Sequence, residues 1–128
     1  MPKSYTQSDA TINHFLRNTA QTPAATIYVG LFTTIPSGPG DAGTEASGGS
    51  YARQAVTFGA PTNGVSTNSG AVAFPTATAS WSTINGVGLF SALSGGTLLY
   101  YGSLTTPKLV DVDDTASFAS AALQITEQ

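Results

Sequence analysis

The sequence contains no cysteine and only one histidine, His14, among its 128 residues. Without thiols there is no disulfide and no thiolate metal site, so stability must come from packing or from partners. Nucleophilic catalysis of the Ser-His-Asp type needs a histidine next to the nucleophile, and no serine lies in a Gly-x-Ser-x-Gly turn. We therefore expect His14 to be a surface or interface residue of a helix, and the protein not to be an enzyme.

Charged residues are also scarce, at 9% of the chain, where soluble domains average about 25%. The four basic residues, Lys3, Arg17, Arg53 and Lys108, are spread along the chain and form no basic stripe, so we expect no binding to nucleic acid. A surface with few long charged side chains loses little entropy when it is ordered against a neighbour, and its copies repel one another weakly. This composition favours a building block of an assembly over a solitary domain.

Carboxylates are too few and too scattered to predict an active site or a metal site. The two glutamates, Glu45 and Glu127, lie in a glycine-rich loop and next to the chain end, whereas glycoside hydrolysis needs two carboxylates on rigid elements. The cluster Asp111, Asp113 and Asp114 lacks EF-hand spacing; a β-turn accounts for it, and a calcium site is the alternative. We expect no metal and no cofactor.

No run of 18 apolar residues occurs, so we expect no membrane span. The first eight residues are polar and no apolar run follows them, so we expect no signal peptide and folding in a cytoplasm.

One helix is predicted, over residues 8–18, with Ser8 or Asp9 as its cap. Its apolar face consists of three residues at helical spacing: Ile12, Phe15 and Leu16. Pro23 prevents continuation, and about ten residues are too few for a helix that is stable alone. The apolar face must therefore dock on the domain or on a neighbouring copy. Residues 1–7 are predicted to form an extended arm.

The rest of the chain consists of short apolar segments separated by turn residues. This spacing predicts a single mainly β domain over residues 1–128, an antiparallel β-sandwich or jelly roll with one short N-terminal helix. Residues 35–50, rich in glycine and proline, are predicted to be a long contact loop. The predicted strands are Thr26–Thr33, Tyr51–Phe58, Ala71–Phe74, Ser82–Phe90, Thr97–Gly102, Lys108–Val112, Thr115–Ser120 and Ala122–Thr126.

Two further patterns concern packing. The segment VGLF occurs at Val29–Phe32 and again at Val87–Phe90, which either places equivalent core positions in two sheets or is a chance repetition. Trp81 is expected in the core, with a contact surface as the alternative. Tyr100 and Tyr101 are neighbours on a strand and point to opposite faces, so one is expected in the core and the other at the surface.

Five segments together resemble a known family. They are Thr26–Thr33 (TIYVGLFT), Gly43–Gln54 (GTEASGGSYARQ), Val56–Phe58 (VTF), Val72–Trp81 (VAFPTATASW) and Val87–Phe90 (VGLF). This set is similar to small virion structural proteins of tailed bacteriophages, which are described as structural, tail-fibre-like or capsid-decoration proteins. The resemblance covers nearly the whole chain and implies a virion protein that is assembled in the host cytoplasm.

A single compact domain without fibre repeats favours, within that family, a capsid decoration (cement) protein on the capsid surface. Its expected partners are the major capsid protein and copies of itself, as a dimer or trimer. The alternative is a tail-tip or tail-fibre component that binds a host receptor or glycan, with Tyr100, Tyr101 and Trp81 as contact residues. Residues 1–7 and 35–50 are the expected clamps, with Glu45 paired to Arg53. The candidate interface residues are Tyr5, Phe15, Glu45, Tyr51, Arg53, Trp81 and Tyr101.

Overall fold

The computed structural model describes residues 1–127 of the chain. Within that range the protein has one helix and nine strands, most of them short. In chain order they are α1 (Tyr5–Leu16), β1 (Ile27–Thr34), β2 (Thr44–Glu45), β3 (Gln54–Val56), β4 (Val65–Thr67), β5 (Val72–Ala73), β6 (Ser82–Phe90), β7 (Leu98–Val110), β8 (Ser117–Phe118) and β9 (Gln124–Thr126).

Helix α1 begins earlier than its sequence predicts, because Ser4 rather than Ser8 is its cap. The Ser4 hydroxyl accepts a hydrogen bond from the Gln7 N–H, 3.1 Å away, and Ser4 is itself buried. The predicted extended arm over residues 1–7 is therefore wrong: Lys3 pairs with Tyr100 on the outer edge of β7, and the helix follows at once. The helix ends at Leu16 because Asn18 adopts a left-handed conformation (φ 54°).

The main sheet is antiparallel, with strand order β2-β1-β6-β7 and with β3 on the same edge of β1 as β2. Strands β1 and β6 form its centre. The two VGLF segments are direct neighbours, since Gly30 lies opposite Gly88 and Val29 opposite Leu89. The hypothesis that they hold equivalent places in two sheets is wrong. The absence of a side chain at Gly88 leaves room for the ring of Phe32, since a Cβ on Gly88 would lie 2.5 Å from that ring.

Two short ladders, β4 with β9 and β5 with β8, share one core with the main sheet. The fold is therefore mainly β with antiparallel sheets and one short N-terminal helix, as the sequence predicts, and corresponds to a sandwich whose second layer is divided. The buried apolar side chains that join the layers are Val29, Leu31, Ala46, Val56, Val72, Phe74, Ala77, Trp81, Ile84, Val87, Leu89, Val110, Leu123 and Ile125.

Strand β7 runs unbroken over 13 residues, whereas the sequence predicts two strands separated at Pro107. A proline interrupts a central strand, but β7 is an edge strand, and Pro107 lies in an irregular stretch of it between the pairs Ser103–Gly86 and Lys108–Ile84. The predicted long loop over residues 35–50 also differs, because β2 lies within it and Ala46 is buried. Conversely, β4 lies between residues 58 and 71, where the sequence predicts no strand.

Candidate interaction surface

Glu45 and Arg53 form a two-pronged ion pair at the edge of β1. Arg53 Nη2 lies 2.8 Å from Glu45 Oε1, and Arg53 Nε lies 2.9 Å from Oε2. The arginine side chain is 10% exposed and the glutamate 24%, so water screens the pair only in part. The predicted pairing of the two residues is confirmed.

The same guanidinium also fastens the turn between β6 and β7. Arg53 Nη1 donates to the carbonyl oxygens of Ala92 and Gly95, at 2.8 Å each. The guanidinium carbon lies 3.5 Å from the centre of the Phe90 ring, a cation–π contact. Glu45 and Arg53 therefore bond to groups of their own chain. As candidate interface residues they would act indirectly, by positioning loops.

Tyr51 completes this cluster from the core side. Its hydroxyl accepts a hydrogen bond from the Leu31 N–H at 2.9 Å and donates to Glu45 Oε2 at 2.5 Å. Its ring stacks on Phe74 and meets Trp81 edge-on. Burial, reinforced by the bond to Glu45, raises the pKa of Tyr51 above its ordinary value, so the hydroxyl stays protonated and can donate.

The cluster depends on Gly30 at the centre of β1. A Cβ there would lie 2.8 Å from Glu45 Oε2 and 2.9 Å from the Tyr51 hydroxyl oxygen, closer than packed atoms allow. The polar groups thus occupy the space that a side chain at position 30 would need.

Trp81 lies in the core with 2% of its surface exposed, and its Nε1 donates to the Gly49 carbonyl at 2.9 Å. Its expected core position is confirmed, but its candidacy as an interface residue is wrong. The indole is enclosed between the layers and its single donor is taken, so no group remains for a partner.

Tyr5 and Tyr101 line one shallow groove of about 330 Å³, between the start of α1 and residues 36–42. Tyr5 is exposed and Tyr101 is partly buried. Both candidate interface residues therefore reach the surface, and at the same place.

Asp41 orders the loop on the far side of that groove. Its carboxylate accepts hydrogen bonds from the Gly43 N–H and from the N–H and hydroxyl of Ser37, at 2.8–2.9 Å. These bonds, that from Gly43 foremost, lower the pKa of Asp41. This part of the predicted contact loop is thus held in a defined shape.

A second polar cluster ties the two chain ends together. The Tyr100 hydroxyl donates to Glu127, and Lys3 Nζ lies 2.9 Å from Glu127 Oε2. Burial pushes the pKa of Glu127 upward, but the hydrogen bonds from Tyr100 and Lys3 and the nearby positive charges outweigh it and leave that pKa lowered. Burial, with the bond to Glu127, raises the pKa of Tyr100. Tyr100 packs against the core, as expected of one of the two adjacent tyrosines.

The most unusual surface is the apolar face of α1, which points into solvent. We call it the helix face; its exposed fractions are 55% for Tyr5, 50% for Ile12, 76% for Phe15 and 80% for Leu16. No residue of the helix is buried. The helix face therefore does not dock on its own domain, which was one of the two possibilities that the sequence left open.

The remaining candidates for chemistry have local roles. His14 is exposed and its ring meets that of Phe15 edge-on, at 4.7 Å between centres. Asp111 and Asp114 close the predicted turn, since Asp114 Oδ2 accepts a hydrogen bond from the Asp111 N–H and Asp113 has a φ of 69°. Among residues 1–127, no group of three His, Asp or Glu side chains could hold a metal ion.

The part of the chain that the structure describes includes no helix with the length and apolarity to cross a membrane.

A family model described as "Podophage GP4 fiber I protein gp80" matches residues 2–126, which is nearly the whole chain. A search of curated proteins finds no significant match. The family match agrees with the resemblance of the five sequence segments to phage virion proteins. The chain belongs to the Podophage GP4 fiber I protein gp80 family and is a bacteriophage virion structural protein.

Proposed function

We propose that the protein is a subunit of a fibre on the phage particle, where it acts by binding other virion subunits. The observation that carries this proposal is the helix face, an apolar surface that the chain leaves in water. Solvent-exposed apolar patches rimmed by polar residues mark interaction sites. The description of the matched family supports the fibre as the assembly.

The role that we propose is structural and not enzymatic. The polar groups of the Arg53 cluster bond to one another and to the backbone, and so join loops to the edge of β1; the cluster consists of Glu45, Tyr51 and Arg53. Glu127 likewise joins Lys3 and Tyr100. Polar groups used in this way keep a small β domain rigid while it bears contacts at its surface.

A capsid decoration protein that bridges major capsid subunits is the second candidate. The low charge and small size of the chain suit that role equally well. Within the fibre role, binding to a host receptor or glycan would use Tyr5 and Tyr101 at their shared groove, since Trp81 is enclosed.

Copy number and position on purified particles test the proposal. We expect quantitative mass spectrometry to find far fewer copies of this chain than of the major capsid protein, and gold-labelled antibody to mark fibres. Labelling over the head at a copy number close to that of the major capsid protein would contradict the fibre and favour decoration. Absence of the chain from purified particles would contradict both.

A further inference from the structure

The chain contains two Asn-Gly-Val sequences, which begin at Asn63 and at Asn85. A β-branched residue precedes each of them, Thr62 in the first case and Ile84 in the second, so the two asparagines have nearly the same covalent neighbours. A glycine after asparagine favours deamidation, because no side chain shields the attacking backbone nitrogen. Any difference in reactivity between Asn63 and Asn85 therefore comes from the fold. The other asparagines are each followed by a residue with a side chain; they are Asn13, Asn18 and Asn68.

Asn63 and Gly64 are the two central residues of a tight hairpin turn at the start of β4. Both have a positive φ, of 52° and 79°, as a type I′ turn requires. Thr62 and Val65 close the turn with two backbone hydrogen bonds, of 2.9 and 3.0 Å. Asn63 is exposed, and within residues 1–127 neither its side chain nor the Gly64 N–H has a hydrogen-bond partner. No other bond therefore holds the two groups that deamidation joins.

Asn85 and Gly86 lie instead in the middle of β6, at the centre of the main sheet. The Asn85 Nδ2 donates to the Thr33 carbonyl at 2.7 Å, which fixes the side-chain amide. Gly86 pairs with Phe32 of β1 on one side and with Ser103 of β7 on the other. The backbone at this point moves only when the main sheet opens, whereas a turn next to a three-residue strand opens locally at low cost.

We infer that Asn63 is a modification site, at which the folded chain deamidates. The Gly64 nitrogen loses its proton to base and forms a bond to Asn63 Cγ. The bond from Cγ to the side-chain nitrogen breaks and ammonia leaves, which closes a five-membered succinimide ring. Water then opens the ring at either of its two carbonyls and produces aspartate or isoaspartate. Water is the only co-reactant, and nothing is oxidised or reduced.

The position of the turn gives the modification a structural consequence. The Gly64 carbonyl accepts a hydrogen bond from the Glu127 N–H at 2.7 Å, and the Glu127 carboxylate joins Lys3 and Tyr100. Aspartate at position 63 adds one negative charge but leaves the backbone unchanged, since Asp, like Asn, adopts a positive φ readily. Isoaspartate adds a carbon to the main chain of a two-residue turn. It therefore displaces the Gly64 carbonyl and loosens the bonds around Glu127.

Mass spectrometry of the full chain tests the inference. The protein is incubated in mildly alkaline buffer at physiological temperature, once folded and once unfolded in urea. Chymotrypsin cleaves after aromatic residues and separates the peptide with Asn63 from the peptide with Asn85. In the folded chain we expect Asn63 to convert at least about tenfold faster than Asn85. In urea the two rates should agree within about threefold, because only the covalent neighbours then act.

The variant Asn63→Asp separates the effect of charge from the effect of the backbone. It should melt within about 1 °C of the fresh wild type, whereas the isoaspartate form, isolated by chromatography, should melt about 3 °C lower or more. A folded chain in which Asn63 stays intact, or in which Asn85 converts as fast as Asn63, would overturn the inference. An isoaspartate form that melts like the wild type would contradict the link to Glu127.

Discussion

Arg53 shows at the scale of one residue how this charge-poor chain uses its few charges. Its guanidinium pairs with both oxygens of Glu45, donates to two carbonyls of the turn after β6 and covers the Phe90 ring. The other ion pair, Lys3 with Glu127, is more exposed, at 23% and 39%. Partly buried, multiply bonded pairs stabilise far more than exposed ones when one partner is removed, because removal leaves the other charge unpaired.

Replacing Arg53 by Ala should therefore lower the free energy of unfolding by about 3 kcal/mol, measured by urea denaturation. Lys3→Ala is the matched control and should cost less than about 1 kcal/mol. Equal losses in the two variants would show that the Arg53 cluster does not fasten the loops.

Sequence reasoning reached part of this cluster. Glu45 and Arg53 lie eight residues apart in one glycine-rich segment, so their opposite charges alone predict the pair. The carbonyls of Ala92 and Gly95 are about forty residues further on and carry no sequence signal, because every residue has a carbonyl. The sequence is compatible with Trp81 in the core or at an interface, and its burial between the layers decides for the core.

At the scale of elements, α1 shows what local patterns predict and what they miss. The existence of the helix and its apolar residues follow from spacing alone. Its start does not, because both Ser4 and Ser8 are suitable caps by residue type. The choice depends on β7, whose edge carbonyls at Leu98 and Leu99 bind Ser4. Likewise, Pro107 is tolerated in β7 because it lies in an irregular stretch of an edge strand, and the sequence shows neither feature.

Ser4→Ala should accordingly destabilise the domain by about 1–2 kcal/mol, since it removes both the helix cap and the bond to the Leu98 carbonyl. Ser8→Ala, within the helix, should change stability by less than about 0.5 kcal/mol. Thermal unfolding followed by circular dichroism compares the two. A larger loss for Ser8→Ala would place the cap where the sequence predicts it and contradict the structure.

The whole molecule combines a rigid β domain with one outward-facing apolar helix. The sequence predicts the mainly β class and the building-block character, because strand spacing and low charge are properties of the entire chain. It does not predict which apolar surface is exposed: the residues predicted as flexible clamps are partly held by hydrogen bonds, at Ser4 and around Asp41, while the helix face lies in solvent. Exposure is set by tertiary packing, which spacing along the chain does not determine.

Incorporation into particles tests the central claim, that the chain is a virion subunit held through its helix face. A phage lacking this gene is complemented with the wild type, with a Phe15→Ser, Leu16→Ser helix variant or with a Leu93→Ser, Leu109→Ser control, and the chain is quantified on purified virions. The control replaces two leucines outside the helix that are also exposed. We predict equal amounts for wild type and control, and at least a tenfold loss for the helix variant, although that variant folds normally. Incorporation of the helix variant at the wild-type level would contradict the account.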